Sequence, residues 1–411
     1  MTETAFIEAI RSMGGTVYLV GGYVRDTLLG RKPKDRDYVI TNIEEAAFCR
    51  LFSSAEKVGN HFPVYLLPIR GEMREVAFAR REKKTASGYR GFAAHFSPET
   101  TIEEDLARRD TTMNSIALRL PDREMIDPFG GKQDIERGII RAATKHFAED
   151  PVRALRAARQ AAELGFTIEA ETVNAMRSLR GELRSEPQER IFEELKKALA
   201  APKPSVFFSA LLEANLLDIA FPELYALHGR PEILAFHPEG DSFRHTMLVL
   251  DEVAARTENT MVRFAALVHD IGKGRTLEEM LPHHYGHELR GQDALLEWNE
   301  RQKLPREWLQ AGLFVVQQHM RAARLKKPGK IVDLYTAIAR SALDFKGFTD
   351  IIAVDYHGLP YYLADSDLYE RVMKVHAKNH PDDLAGEAVG AWLRGQRIHT
   401  LRRLCGERNP V

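Results

Sequence analysis

The sequence predicts an α+β protein, a small α/β head followed by an all-helical remainder. Short β-branched and aromatic runs alternate with segments of helical spacing up to about residue 80, the pattern of a sheet covered by helices. Farther on the apolar positions recur at helical spacing, as in Val152-Arg-Ala-Leu-Arg-Ala-Ala and Ile191-Phe-Glu-Glu-Leu. A chain of 411 residues, 44% hydrophobic and 28% charged, has the composition of an ordinary globular protein and room for about two to four domains.

No apolar run reaches the length of a membrane span, and MTETAFIEAI lacks a basic-then-apolar leader pattern, so no membrane association is expected. Two cysteines, Cys49 and Cys405, cannot make a disulfide framework or a thiolate zinc site. Cytoplasm is therefore the expected compartment. A net charge of −1 gives no global argument for nucleic-acid binding. Charge is unevenly spread, however: residues 321–330 hold five basic side chains and no acid, and Arg70 to Arg90 holds seven against three acids, with Phe78 and Tyr89 interleaved. A solvated charged face explains either patch taken alone.

Residues 1–13 form a lead-in helix with Phe6, Ile7 and Ile10 on one face. Val17 to Val20 is a strand, Gly21-Gly22 a turn, and Tyr23 to Leu29 a short helix stopped by Gly30. A glycine pair before a helix lets backbone N–H groups approach a phosphate. Asp35-Arg-Asp-Tyr-Val-Ile40 follows as a strand, which puts Asp35 and Asp37 on one face, roughly 7 Å apart. Two carboxylates facing a phosphate-binding turn suit metal-dependent nucleotidyl transfer. Glu44 to Phe52 is helical, Val64 to Leu67 and Glu75 to Ala79 are strands, and residues 81–105 lack periodicity and suggest a mobile loop.

The run Gly21-Gly-Tyr-Val-Arg-Asp26 with Asp35-Arg-Asp37 resembles the first motif of the class II tRNA nucleotidyltransferase and bacterial poly(A) polymerase superfamily. The resemblance implies a polymerase-beta-like head in which Asp35 and Asp37 hold Mg²⁺, Glu75 adds a third carboxylate, and Gly22 and Arg25 serve the nucleotide. It also implies that the loop at 81–105 helps to switch between nucleotides. Arg108-Arg-Asp-Thr-Thr-Met-Asn114 is similar to a second family motif. Asp110 and Asn114, four apart, share a face if the segment is helical; together they suit a ribose 2′-hydroxyl, and Arg109 suits the triphosphate. Asp110 also fits a plain N-cap. Ile126-Asp-Pro-Phe-Gly-Gly131 with Asp134 resembles the family's hinge. In Glu149-Asp-Pro-Val-Arg-Ala-Leu-Arg156, Asp150 caps a helix that Gly165 stops. By resemblance Asp150 and Arg153 read the base of CTP or ATP and Arg156 contacts phosphate, although the residues alone also suit a capped surface helix. Pro187 to Leu199 resembles the last motif, a brace.

A second constellation begins at His245 and continues through His269-Asp270-Ile-Gly-Lys, His283-His284-Tyr-Gly-His287, Gln318-His319 and Asp355. Histidine and aspartate suit a divalent metal. The His269-Asp270 pair resembles an HD phosphohydrolase signature. That likeness implies His245, His269, Asp270 and Asp355 as ligands of Ni²⁺, Mn²⁺, Co²⁺ or Mg²⁺, with His284, His287 and His319 at a second metal or at the phosphate. One departure is His319-Met320, where such relatives tend to have His-Asp.

Together the motifs resemble a CCA-adding tRNA nucleotidyltransferase with a fused HD domain. The implied segments are a head (1–140), a helical neck and body (141–224), an HD domain (225–360) and a helical tail (361–411). The implied partners are CTP, ATP and the acceptor arm and 3′ end of tRNA, with the chain a monomer or a homodimer. A poly(A) polymerase, a partial enzyme adding only CC or A, and an idle RNA-binding scaffold are the alternatives. A fused HD region argues against the first, and a full-length loop at 81–105 argues against a CC-adding enzyme. Intact Asp35, Asp37, Asp110 and Arg153 argue against the idle scaffold.

Overall fold

The computed structural model describes residues 1–33, 35–58, 64–84, 92–379 and 384–408. They form two compact units, Met1–Glu194 with Val206–Ala220, and Leu195–Ser205 with Phe221 onwards.

The first unit opens on helix α1 (Glu3–Ser12), whose Phe6, Ile7 and Ile10 are buried, as their spacing requires. Strand β1 (Thr16–Val20) runs into helix α2 (Gly22–Leu28), and β2 (Asp37–Thr41) into helix α3 (Glu45–Leu51). Strands β3 (Glu56–Val58), β4 (Val64–Ile69) and β5 (Glu72–Phe78) follow, then β6 (Arg80–Lys84), β7 (Phe92–Phe96) and helix α4 (Ile102–Ala107). Strands β8 (Ala117–Leu120) and β9 (Glu124–Ile126) complete a seven-stranded sheet of order β3-β4-β5-β2-β1-β8-β9, mixed because β2 and β5 run parallel.

Alternation along β1 and β2 divides the core between two faces. Phe6 packs edge-on against Tyr38 and tilted against Phe52, and Phe48 packs edge-on against Phe78 and tilted against Tyr65. Tyr18, Val20, Val39 and Ala117 meet Ile102 and Leu106 of α4 on the other face. The segment 81–105, expected to be a mobile loop, instead carries the antiparallel pair β6 and β7 and then α4. Thr101 and Glu104 form a reciprocal capping box at the start of α4. Residues 85–91 lie outside the described residues.

Helix α5 (Gly131–Arg137) follows a turn in which Asp127 accepts from the backbone of Gly131 and Lys132 at 2.7 and 2.9 Å. A Cβ on Gly131 would lie 2.2 Å from the Thr112 carbonyl oxygen, so only glycine lets α5 pack this closely. Helix α6 (Val152–Leu164) ends at Gly165 in the left-handed region, at φ 72°.

The second unit is helical. Val253, Phe348, Ile352, Tyr335 and Leu401 belong to one apolar core, and Phe264 packs edge-on against Trp298 and tilted against Trp308. Each fully buried aromatic side chain contributes about 3 kcal/mol of transfer free energy. Cys49 and Cys405 are free thiols. No helix of the described residues is long and apolar enough to cross a membrane.

Candidate active sites

In the head, strand register does the assembling. Val20, the last residue of β1, lies opposite Asp37, and Asp37 lies opposite Glu75 on β5. Neighbouring strands are about 4.8 Å apart, so the Gly21 turn and two carboxylates meet at one end of the sheet. Asp35 precedes β2, so the two aspartates do not share a strand as expected; the strand begins at Asp37. Gly21 has φ 66°, a conformation that favours glycine, and a Cβ there would lie 3.3 Å from Arg109 Nη1 and 4.0 Å from Asp37 Oδ2.

Burial pushes the Asp37 carboxyl above its ordinary range, and the charges of Glu75 and Asp35 push it the same way, with Arg109 opposing. Carboxylates that repel one another this way gain from a divalent cation, but among the described residues the three-residue groups whose ligand atoms all lie within 4.8 Å of one another do not include Asp35, Asp37 and Glu75. Arg109 is held by Asp105, whose Oδ2 accepts from its Nε and Nη2 at 3.3 and 3.0 Å. Asp105 is fully buried, which alone would raise it, but Arg108 and Arg109 bring it down to about 2. It stays ionised and keeps Arg109 beside Gly21.

Asp110 and Asn114 are neighbours for a reason other than the helix expected. Only Thr112–Asn114 is helical, a single 3₁₀ turn, and Asn114 Nδ2 donates to Asp110 Oδ1 at 3.0 Å across it. Asp110 is saturated: the Thr111 N–H also donates to Oδ1, while Arg156 Nε (2.7 Å) and Gln160 Nε2 (3.0 Å) donate to Oδ2. Burial opposes its charge, yet Arg156 and these donors hold it well below the usual carboxylate range. Arg25 Nη1 donates to Asn114 Oδ1 at 3.1 Å, and a Cβ on Gly22 would lie 3.7 Å from Arg25 Nη2. A chain of fixed groups thus links the Gly21-Gly22 turn to α6.

Asp150, Arg153 and Arg156 have separate partners. Arg153 is buried and donates to the His146 carbonyl, and Arg156 turns to Asp110. Asp150 accepts from the Val152 N–H at 3.1 Å, one residue ahead of the N-cap position, which Pro151 occupies, and from Arg190 Nη1 and Nη2 at 3.2 and 2.9 Å. Arg190, on the helix Gln188–Leu199, also pairs with Glu186. The helix expected as a brace thus also carries a partner of Asp150, which the four-residue spacing of Glu186 and Arg190 does not reveal.

In the second unit, four histidines converge from different helices. His245 stands on Ser242–Arg256, His287 opens His287–Gln302, His319 is near the end of Arg306–Ala322, and His269-Asp270 follow Thr260–Val268. Asp355 ends Phe345–Asp355. A Cβ on Gly272 would lie 2.0 Å from the His287 carbonyl oxygen, which is how the two backbones approach closely enough to bring His287 to Asp270.

The side chains face one another. His269 Nδ1 lies 2.8 Å from the Ala266 carbonyl, His287 Nδ1 2.8 Å from that of His284, and His319 Nδ1 3.1 Å from those of Val315 and Val316. Carbonyls only accept, so Nδ1 carries the proton and a neutral ring turns its Nε2 lone pair inward. The Nε2 atoms of His245 and His269 are 3.4 Å apart, and those of His287 and His319 3.2 Å. Asp270 lies between the pairs, Oδ2 at 3.2 Å from His269 Nε2, and Oδ1 at 3.2 Å from both His287 Nε2 and His319 Nε2. Asp355 Oδ1 is 3.3 Å from His245 Nε2.

Oδ1 of Asp270 is buried and makes no well-aligned hydrogen bond. Donor atoms around a metal at about 2.1 Å stand about 3.4 Å from one another, so this cage fits a divalent metal on each side of Asp270. Burial lowers the His269 imidazole, but Asp270 and Asp355 lift it to about 9, the mark of a cage that favours positive charge.

Of the three histidines left open by the sequence, His287 and His319 join Asp270. His284 does not: its Nδ1 is 2.8 Å from Thr276 Oγ1 and its Nε2 3.1 Å from the Pro231 carbonyl. Met320 turns away, its Sδ 3.6 Å from the Tyr356 hydroxyl. Lys273 Nζ was not foreseen; it lies 2.7 Å from Asp270 Oδ2 and 2.8 Å from Glu232 Oε1. A lysine three residues after the aspartate was the available signal.

Residues 17–141 match the family described as the poly A polymerase head domain, and residues 165–227 match the probable RNA and SrmB-binding site of polymerase A. Fold and head together define an enzyme, a nucleotidyltransferase of the poly(A) polymerase superfamily. The chain is 43% identical over 402 residues to the multifunctional CCA protein of Nitrosococcus oceani, covering 94% of this chain and 98% of that one. Its likeness to the multifunctional CCA protein of Hahella chejuensis is 42% over 413 residues, 96% of each. The chain belongs to the family of multifunctional CCA proteins. The fold is also that of a Bacillus stearothermophilus CCA-adding enzyme solved with CTP, at TM-score 0.64 and 23% identity over 98% of this chain and 97% of that one. A Thermotoga maritima CCA-adding enzyme solved with tRNA matches at TM-score 0.64 and 18% identity, over 98% and 94%.

Proposed function

We propose that the head adds C, C and A to the 3′ end of tRNA from CTP and ATP, and that the second unit is a metal-dependent phosphohydrolase of 2′,3′-cyclic phosphates, 2′-nucleotides and phosphorylated RNA ends. The observation that carries the first part is the alignment of Gly21, Asp37 and Glu75 at one sheet end with Arg109 beside the turn. Asp35 and Asp37 would hold Mg²⁺, whose contribution would be Lewis acidity toward the 3′-hydroxyl and the pyrophosphate. The residues do the rest. Backbone N–H groups of the Gly21-Gly22 turn and the guanidinium of Arg109 hold the triphosphate. Asp110 fixes Asn114 at the ribose. Segments 1–140 and 141–224 divide this work between chemistry and base and tRNA recognition.

Asp270, shared by two groups of inward-facing ring nitrogens, carries the second part. His245, His269, Asp270 and Asp355 would hold a divalent metal, whose contribution would be the activation of water against a phosphate ester. Lys273, paired with Asp270 and Glu232, positions the Asp270 carboxylate, and such hydrolysis suits repair of a damaged tRNA terminus. The same cage argues against a poly(A) polymerase, which shares the head motifs.

Base selection depends on Asp150 and Arg153, with Arg190 as the positioning residue that orients the Asp150 carboxylate. Asp150→Ala, Arg153→Ala and Arg190→Ala are each expected to relax the preference for CTP and ATP over UTP and GTP by about tenfold to a hundredfold, the worth of one or two hydrogen bonds. Competitive incorporation of CTP against UTP measures it. An unchanged ratio in all three leaves Asp150 as a helix cap.

A further inference from the structure

The cluster of cations at 321–330 is unused by either site as described. Arg321, Arg324, Lys326, Lys327 and Lys330 are all exposed, and none of them pairs with a carboxylate among the described residues. Unpaired surface cations are common, but these are held on a fixed ledge. The Tyr356 hydroxyl donates to the Met320 carbonyl at 3.0 Å, and the Arg324 guanidinium lies over the Tyr356 ring at 5.7 Å. The Tyr362 hydroxyl donates to the Ala322 carbonyl at 2.8 Å and accepts from the Leu325 N–H at 2.9 Å. Two tyrosines therefore pin the backbone from which the cations project.

The ledge also has a place relative to the metal cage. It continues directly from the helix that carries His319, and Tyr356 follows Asp355 in the chain. Tyr361, beside the anchoring Tyr362, is 56% exposed. A row of unpaired cations with an exposed aromatic, fixed next to a phosphate-ester site, has the chemistry of a single-strand RNA track: charges for successive phosphates and a ring for a base.

Resting on the phosphohydrolase reading, we infer that residues 321–330 bind the phosphates of the RNA strand leading to the 3′ terminus in the cage, so that this site acts on RNA ends in preference to free nucleotides. The substrate class is a polynucleotide carrying a terminal 2′,3′-cyclic phosphate or 2′-phosphate. Asp333 is the carboxylate that feels Lys330 and Arg321, and its two oxygens are already taken by Arg394 at 2.6 and 3.1 Å, which leaves the strip to a polyanion.

The test compares 2′,3′-cyclic AMP with a tetranucleotide ending in a 2′,3′-cyclic phosphate, using the full chain and the variant Lys326→Glu/Lys327→Glu/Lys330→Glu, whose exposed positions leave the core intact. In the wild type, kcat/KM is expected to be at least about tenfold higher for the tetranucleotide and to fall with salt. The variant should lose that advantage, keep hydrolysis of 2′,3′-cyclic AMP within about twofold, and show a log–log salt slope shallower by about 2, at roughly 0.7 per lost single-strand phosphate contact. Equal loss on both substrates, or no loss on the tetranucleotide, overturns the inference while the phosphohydrolase reading stands. If the wild type hydrolyses neither substrate, that reading falls, and the strip is judged by fluorescence anisotropy of the labelled tetranucleotide. The head is identical in both proteins, so weaker binding by the variant supports the strip and equal binding overturns it.

Discussion

Asp35→Ala combined with Asp37→Ala is expected to reduce nucleotide addition to less than about one per cent of wild type, because metal-borne stabilisation of the transition state is worth several kcal/mol. Asp37 is half-buried between Val20 and Glu75 in register, and its raised carboxyl marks a place where negative charge waits for a cation. No residue of the Gly21 turn can replace that carboxylate. On the proposed division of work, in which residues 141–224 hold tRNA, a gel-shift assay should show tRNA affinity within about threefold of wild type, and extension of a labelled transcript should show no product. Addition by the double variant at more than a few per cent would place the metals on other residues.

The second large effect belongs to Asp270. Its two oxygens serve both groups of nitrogens, so Asp270→Asn is expected to lower metal-dependent hydrolysis of 2′,3′-cyclic AMP at least about a hundredfold with every metal tried among Mg²⁺, Mn²⁺, Ni²⁺ and Co²⁺. His284→Ala should cost less than about tenfold, since its ring is spent on Thr276 and the Pro231 carbonyl. Nucleotide addition should stay within about twofold in both, because the head is a separate unit. Equal hydrolysis in wild type and Asp270→Asn would assign the activity elsewhere, and equal loss in both variants would make the cage a structural feature.

Local chemistry made much of this legible in the sequence. Gly30 and Gly165 have the positive φ that a helix stop needs, and Phe6, Ile7 and Ile10 share the buried face their spacing predicts. What failed was whatever depended on distant partners. Arg190 reaches Asp150 from 40 residues away, and no pattern in either segment shows it. Asp110 and Asn114 meet through a 3₁₀ turn fixed by the Thr112 N–H donating to the Arg141 carbonyl, which helical spacing imitates. The charged stretch 81–105 hides β6 and β7 because their stabilisation is cross-strand pairing, not an apolar alternation. His284 and His287 look equivalent in sequence; only the helix that starts at His287 aims one ring at Asp270 and leaves the other at Thr276.

The central claim, that one head builds the whole CCA end without a template, is tested most directly by extending tRNA transcripts that end just before each of the three terminal nucleotides. Each is incubated with Mg²⁺ and with CTP, ATP, UTP or GTP singly and together, and the products are sequenced. The account predicts two C additions from CTP, one A addition from ATP only after both C residues are present, and then a stop. Runs of A on any transcript, or addition that halts after CC with ATP present, would contradict it.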